Sequence, residues 1–373
     1  MATDTSHGRL HRLNEISLKQ LASLDRDKTV VMLPVGMQEI HGPHLPIGTD
    51  CFAVEAVATA AAAWLLDDNP DLHVLLLPTI PYGTDPVDLR RPDLFERSGS
   101  VWVSKETLKA IVHDVAERIV KYGFRFVFPI GFHGGADQSR VLASVCEDLR
   151  GSYDKLIMYE PMGYVMAGAE LKVSPGLATL LGRPLTPAEE VVLRGSIHAS
   201  MFETSMMLSL HPDLVDPEYT KLRTIEWHKL FKMEDWPGYV GAGPSHANPE
   251  IGGAVVRWRG VRVGALIKRA MGGEDIAKLR RHPEWDEEQP LTDAGHDMGQ
   301  PADPLGTVAA PSRESTPKSA EVATKPMPPR RRLGTGTLEK ADDEEGLDET
   351  EKKAAPDGSK SEKKPDRPKK KDD

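Results

Sequence analysis

The chain of 373 residues can hold one large domain or two ordinary ones. With 39% hydrophobic and 28% charged residues it is polar for a packed protein, which leaves part of it outside any core. Two cysteines, Cys51 and Cys146, exclude a disulfide framework and suit a reducing cytoplasm, and a net charge of −10 argues against nucleic acid as a main partner.

That charge belongs to the body of the chain, because residues 301–373 carry as many Lys and Arg as Asp and Glu. The start, MATDTSHGRLHRL, has no apolar signal region, so no secretory leader is expected. Ile16 to Leu24 suggests a first helix. Residues 29–35 form an apolar, β-branched run that predicts a buried strand. The pattern breaks at Gly36 into a Gly/Pro loop carrying Glu39, His41, His44 and Asp50. Alternate side chains of an extended segment share a face, so Glu39 and His41 can point together, and the glycines and prolines between 42 and 48 can return Asp50 to the same point. Carboxylates and imidazoles so gathered suit a divalent metal.

Asp50 should open a helix from Phe52 to about Leu66. That apolar run contains Glu55 and is shorter than the ~20 residues a membrane span needs, so a core helix is expected and no membrane. His73 to Ile80 predicts a second buried strand. The loop after it contains Arg90, Arg91 and Asp93 and reads either as pocket lining or as solvated surface. Ser104 is a good N-cap for a helix with apolar residues at 108, 111, 112, 115 and 119, closed by Gly123. His113 within it reads as structural. Phe124 to Ile130 predicts a third strand, running into GFHGGADQ, where His133 is a further metal-ligand candidate and Gly134 and Gly135 allow close backbone approach. Lys155 to Met158 predicts a fourth strand, and residues 163–195 suggest a flexible or inserted segment. Ala199 to Leu210 predicts a helix with His198 at its mouth and Glu203 in its second turn. By itself Glu203 reads as a solvated helix residue. A glycine-rich loop at 236–253 holds His246, read as structural or at a substrate rim, and a closing helix runs to about Met271. From 286 to 373 Pro, Lys, Glu, Asp and Ser dominate, which predicts a disordered tail after a domain spanning 1–285.

The stretch from Val30 to Asp50 resembles the creatininase (creatinine amidohydrolase) family signature P-x-G-x-x-E-x-H-G-x-H-L-P-x-x-T-D, through Pro34, Gly36, Glu39, His41, Gly42, His44, Leu45, Pro46, Thr49 and Asp50. HASMFETS, beginning at His198, is similar to the family's H-A-G-x-x-E-T-S. GFHGGADQ is similar to its N-G-H-G-G-N motif but departs from it at Gly131, Phe132 and Ala136. The likeness covers roughly residues 15 to 272.

The resemblance implies a three-layer α/β/α sandwich with a mostly parallel sheet. It also implies Glu39, His41, Asp50, His133 and Glu203 as metal ligands, with His198 as the proton-transfer group. Five such ligands exceed the need of one tetrahedral ion, and Asp50 has two oxygens with which to bridge a pair of ions. Two divalent ions per subunit are therefore expected, Zn, Mn or Fe. The reaction implied is hydrolysis of an amide-type C–N bond in a small molecule. The alternatives are ring-opening of a cyclic ketone or lactone, or a non-catalytic scaffold that keeps the fold. Creatinine itself is not expected, because creatininases place tryptophans ahead of the H-A motif and this chain has none between Trp102 and Trp227. A homo-oligomer is expected from the family.

Overall fold

The computed structural model describes residues 9–94, 98–167 and 176–279. The expected tail from residue 286 lies outside the described residues. In chain order the elements are β1 (Leu10–Arg12), α1 (Leu18–Ser23), β2 (Thr29–Val35), α2 (Thr49–Asp68), β3 (His73–Leu76), α3 (Lys105–Lys121), β4 (Phe126–Gly131), α4 (Ala136–Ser152), β5 (Ile157–Met158), α5 (Met162–Ala167), α6 (Pro187–Arg194), β6 (Ser196–His198), α7 (Met201–Leu210), β7 (Val240–Gly241) and α8 (Pro249–Met271), with several 3-10 turns and one short helical turn between them.

Strands β1 to β5 form one sheet in the order β1-β3-β2-β4-β5, every pair parallel. Each residue of β2 is buried, as a central strand covered on both faces requires. Side chains alternate between the two faces. Val30, Met32, Val74, Leu76, Phe126 and Phe128 face a core shared with α2 and α8. Val31, Leu33, Val35, Leu75 and Val127 face a second core shared with α3 and α4. This is the expected three-layer α/β/α arrangement with a parallel sheet.

Helix α2 is long and apolar enough by composition to cross a membrane. It is instead the central core helix, held between the sheet and α8. Small residues set how closely α8 approaches its neighbours. A Cβ on Gly252 would lie 1.9 Å from the Ser205 carbonyl oxygen of α7, and one on Gly260 would lie 2.4 Å from Ala60 Cβ of α2.

Several elements differ from expectation. β1 was not foreseen, because a three-residue, half-buried edge strand carries no apolar run. α4 was hidden behind the glycine loop that precedes it. β3 stops at Leu76 because Pro78 offers no N–H to the ladder, although Ile80 rejoins as a bridge to Val35. The stretch 163–195, expected to be flexible or inserted, is helical in α5 and in α6, where Thr186 and Glu189 form a reciprocal cap; residues 168–175 lie outside the described residues. Helix α7 starts at Met201 instead of Ala199, because Ala199 is left-handed at φ 48°.

The packing of α8 is testable by stability. Gly252→Ala should cost about 1–3 kcal/mol through overpacking against Ser205. Gly151→Ala, in α4 with nothing within 4 Å of the added methyl, should gain about 0.5–1 kcal/mol from helix propensity. Denaturant midpoints of the two variants measure both.

Candidate metal centre

The carboxyl ends of β2 and β4, neighbours in the sheet, deliver the first two groups of side chains. Beyond β2 the chain folds back on itself through Glu39 N–H to Ile47 carbonyl (3.0 Å) and Thr49 N–H to Pro46 carbonyl (3.1 Å). Gly42, at φ 67°, turns it and donates to the Gly238 carbonyl at 2.8 Å. The fold-back puts Asp50 in the first turn of α2, where the positive end of the helix dipole favours a carboxylate. His133 follows β4. His198 ends β6, and Glu203 comes from the first turn of α7, where its Oε2 caps the Ala199 N–H at 2.5 Å.

These side chains converge in two overlapping triads, Glu39–Asp50–His133 and His41–Asp50–Glu203, with Asp50 common to both, while His198 lies with Glu39 and His41. Asp50 splits its oxygens between them: Oδ2 is 3.3 Å from His133 Nδ1 and Oδ1 is 3.6 Å from His41 Nε2. His133 Nδ1 also lies 2.9 Å from Glu39 Oε2, and His41 Nε2 lies 4.0 Å from Glu203 Oε1. Glu39, His41, Asp50 and His133 are all buried.

The imidazole tautomers decide what this cluster wants. His133 Nε2 donates to the Asp85 carbonyl at 2.9 Å, His41 Nδ1 to the Glu39 carbonyl at 2.9 Å, and His198 Nε2 to the Ile40 carbonyl at 2.7 Å. A backbone carbonyl can only accept, so in the neutral rings the other nitrogen presents a lone pair. All three of those nitrogens face carboxylate oxygens. Glu39 Oε2, His41 Nε2 and Asp50 Oδ2 are correspondingly buried without a hydrogen-bond partner. Lone pairs aimed at lone pairs need a cation between them. Oxygen and imidazole donors in this number suit Zn, Mn or Fe, so the residues present fit a divalent pair.

Without metal, protons serve instead. Burial alone would lower His41, but Asp50, with Glu203 and Glu39 behind it, raises it to about 10. His133 is likewise raised well above the ordinary imidazole value by Glu39 and Asp50, against the effect of burial. Burial would raise Glu39, yet His133 and His198 hold it at about 2, and Asp50 is lowered in the same way by His41 and His133. Metal binding must therefore displace protons.

His44, also in the loop, is not part of the cluster. Its Nε2 donates to the Thr204 hydroxyl at 2.8 Å, and burial together with His41 lowers it to about 4, so it is a neutral structural imidazole. His113 and His246 join no metal-type cluster among the described residues. Arg91 does not lie in solvent: it is buried and donates to the carbonyls of Leu230 and Met233, both at 2.7 Å, tying its loop to that segment. Gly135 earns its position, since a Cβ there would lie 2.3 Å from His133 Nε2, whereas one on Gly134 would meet nothing within 4 Å.

Sequence reasoning missed three residues around the site. Asp85 orients His133 through its carbonyl from a left-handed conformation at φ 63°, and two residues on the Val87 N–H donates to Glu39 Oε1 at 2.5 Å. The Asp85–Pro86 pair signalled a turn but not its target. Arg259 of α8, buried, feels the charge of Glu203 and Asp50. It reads in sequence as one more base on a closing helix.

Comparisons with known proteins find relatives of this chain and of its fold. The family model described as Creatininase, creatinine amidohydrolase, matches residues 14–267. A mycofactocin precursor peptide peptidase of Mycobacterium tuberculosis (strain CDC 1551 / Oshkosh) is 29% identical over 132 residues, 35% of this chain and 50% of that protein. The match thus spans about half the length of that relative. The protein of the same name from Mycobacterium ulcerans (strain Agy99) is 26% identical over 212 residues, 56% of this chain and 69% of that protein. In structure the chain is similar to a candidate creatinine amidohydrolase of Bacteroides fragilis NCTC 9343, at TM-score 0.51 and 20% identity over 70% of this chain and 97% of that one. It is also similar to a manganese creatininase, at TM-score 0.50 and 20% identity over 69% and 97%. The chain is an α/β/α protein of the creatininase family.

The proton-for-metal exchange predicts the pH response of chelated protein. A histidine raised to about 10 contributes stability that is complete below its unfolded value of ~6.5 and lost as pH rises through 10. Melting temperatures in chelator should therefore fall between pH ~6.5 and 10, and a His41→Gln variant should show a flatter alkaline arm.

Proposed function

We propose that this chain is a metal-dependent amidohydrolase that cleaves an amide-type C–N bond of a small molecule. The observation that carries the reading is the pair of triads sharing Asp50, with inward lone pairs on His41 and His133. Glu39, Asp50 and His133 would hold one divalent ion, and His41, Asp50 and Glu203 would hold a second. Divalent ions held there supply Lewis acidity, which acidifies water and polarises an amide carbonyl.

The protein's own groups do the rest. Asp50 and Glu39 are fixed by burial, and Glu203 by its cap on Ala199. Burial keeps bulk water from screening these charges. His198 holds its Nε2 proton on the Ile40 carbonyl, so Nδ1, 3.9 Å from Glu39 Oε2, is the nitrogen that can take up a proton at the site. From there it can pass the proton to the leaving nitrogen as the C–N bond breaks. A small cleft lined by Ile40, Leu94, Ser98, Asp235 and Trp236 adjoins the loop bearing Glu39 and His41, and offers room for an apolar part of the substrate.

A second reading concerns the bond. The mycobacterial relatives are named as peptidases of a precursor peptide, which favours a peptide amide over a cyclic amide or formamide. The metal is Zn, Mn or Fe; a similar solved structure is a manganese creatininase.

Metal content and turnover test the assignment together. Protein purified without chelator should hold about two divalent ions per chain, and Asp50→Ala and His133→Ala should lose metal and activity alike. His198→Ala should keep the metal and lose about 10²–10⁴-fold in turnover on a panel of formamides, cyclic amides and short peptides. Full retention of metal by Asp50→Ala would end the shared-ligand reading.

A further inference from the structure

Arg259 is only 8% exposed. Among the described residues it makes neither a hydrogen bond nor an ion pair within 4.0 Å, and its neighbours are aromatic. Its guanidinium carbon lies 4.6 Å from the ring centre of Phe132 and 4.5 Å from that of Phe202. Phe132 directly precedes His133, and Phe202 directly precedes Glu203. The arginine is therefore packed on the two segments that supply one ligand to each triad, and Glu203 and Asp50 are the carboxylates that act on its charge.

Burying a cation without a hydrogen-bonding partner is costly, and cation–π contact offsets only part of that cost. The nearby carboxylates do not complete it. Glu203 spends Oε2 on Ala199 N–H and turns Oε1 toward His41, while Asp50 turns both oxygens toward histidines. Once cations neutralise those carboxylates, the arginine becomes a surplus positive charge beside the reacting centre. Stacking on rings leaves the in-plane N–H groups as the means of recognition, and that planar fork matches a carboxylate bidentately. Phe132 stands where the family motif carries glycine, so one of the two rings is a feature of this chain's own sequence.

We propose that Arg259 is a substrate-binding residue that receives a carboxylate, so that the preferred substrates are amides of α-amino acids with a free carboxyl group, such as an N-acyl amino acid or the last residue of a short peptide. This rests on the amidohydrolase reading above. In such a substrate the carboxylate is one carbon away from the leaving nitrogen, close enough for one residue beside the triads to hold it.

Binding tests this apart from turnover. Metal-loaded protein is titrated calorimetrically with N-acetylglycine and with N-acetylglycinamide, which differ only in replacing the carboxylate by a neutral amide. Wild type should bind the carboxylate at least about 10-fold tighter, as expected of one charge-assisted pair. Arg259→Gln should lose that preference while its metal content stays at the wild-type level. Arg259→Lys, which keeps the charge without the fork, should retain part of it, and so shows that any loss in Arg259→Gln is not simple misfolding. The proposal fails if Arg259→Gln keeps the full preference, since the ions alone would then hold the carboxylate. It also fails if wild type binds the two probes equally or binds neither. Absence of metal from wild type and variants alike would instead refute the amidohydrolase reading itself.

Discussion

The structure depends on a single constraint, that His41, His133 and His198 each give one ring nitrogen to a backbone carbonyl. That commitment fixes the tautomers and turns the remaining nitrogens on buried carboxylates. Hydrogen bonds cannot satisfy the result in the neutral state, so the pocket must hold either extra protons or cations. Asp50 is the hinge of the arrangement, because its two oxygens face different histidines and so join the two triads into one site.

The scaffold is built to keep those nitrogens aimed. β2 and β4 are adjacent and parallel, so the loops at their carboxyl ends open at one point, the usual place for ligands in open parallel sheets. Local strain supplies the fine adjustment. Asp85 and Ala199, two of the non-glycine residues with positive φ, both touch the site: one carbonyl orients His133, and one N–H holds Glu203. Strain of this kind persists where surrounding structure over-determines it, and the two close-packed helices α2 and α8 behind the site provide that rigidity. Arg259 of α8 packs on Phe132 and Phe202, which directly precede His133 and Glu203.

Much of this was legible in the sequence because it followed strong local rules. The buried run of β2, the cap at Ser104 and the glycine after α3 gave their elements nearly at the right residues. The E-x-H and T-D spacing named the loop's candidate residues, and the structure brings Glu39, His41, Asp50, His133, His198 and Glu203 to one place. What escaped is non-local. His44 has the same chemistry as His41, and only its distance from the triads and its bond to Thr204 separate them. Arg91 looked like surface or pocket, and its role is set by carbonyls some 140 residues away. Glu203 was legible through the family motif alone, because by itself it reads as a solvated helix residue; the short pairing of β6 and β7 is what positions His198 and the start of α7. Asp85 acts through its backbone, which no side-chain pattern reveals.

The arrangement calls for one aspartate, Asp50, to be shared by two cations. Anomalous diffraction from crystals of manganese-loaded protein, collected at the manganese edge, addresses it directly. Two peaks about 3.5–4 Å apart are expected on either side of Asp50, one within bonding distance of Glu39 and His133 and the other of His41 and Glu203. A single peak, or two peaks of which Asp50 touches only one, would contradict it.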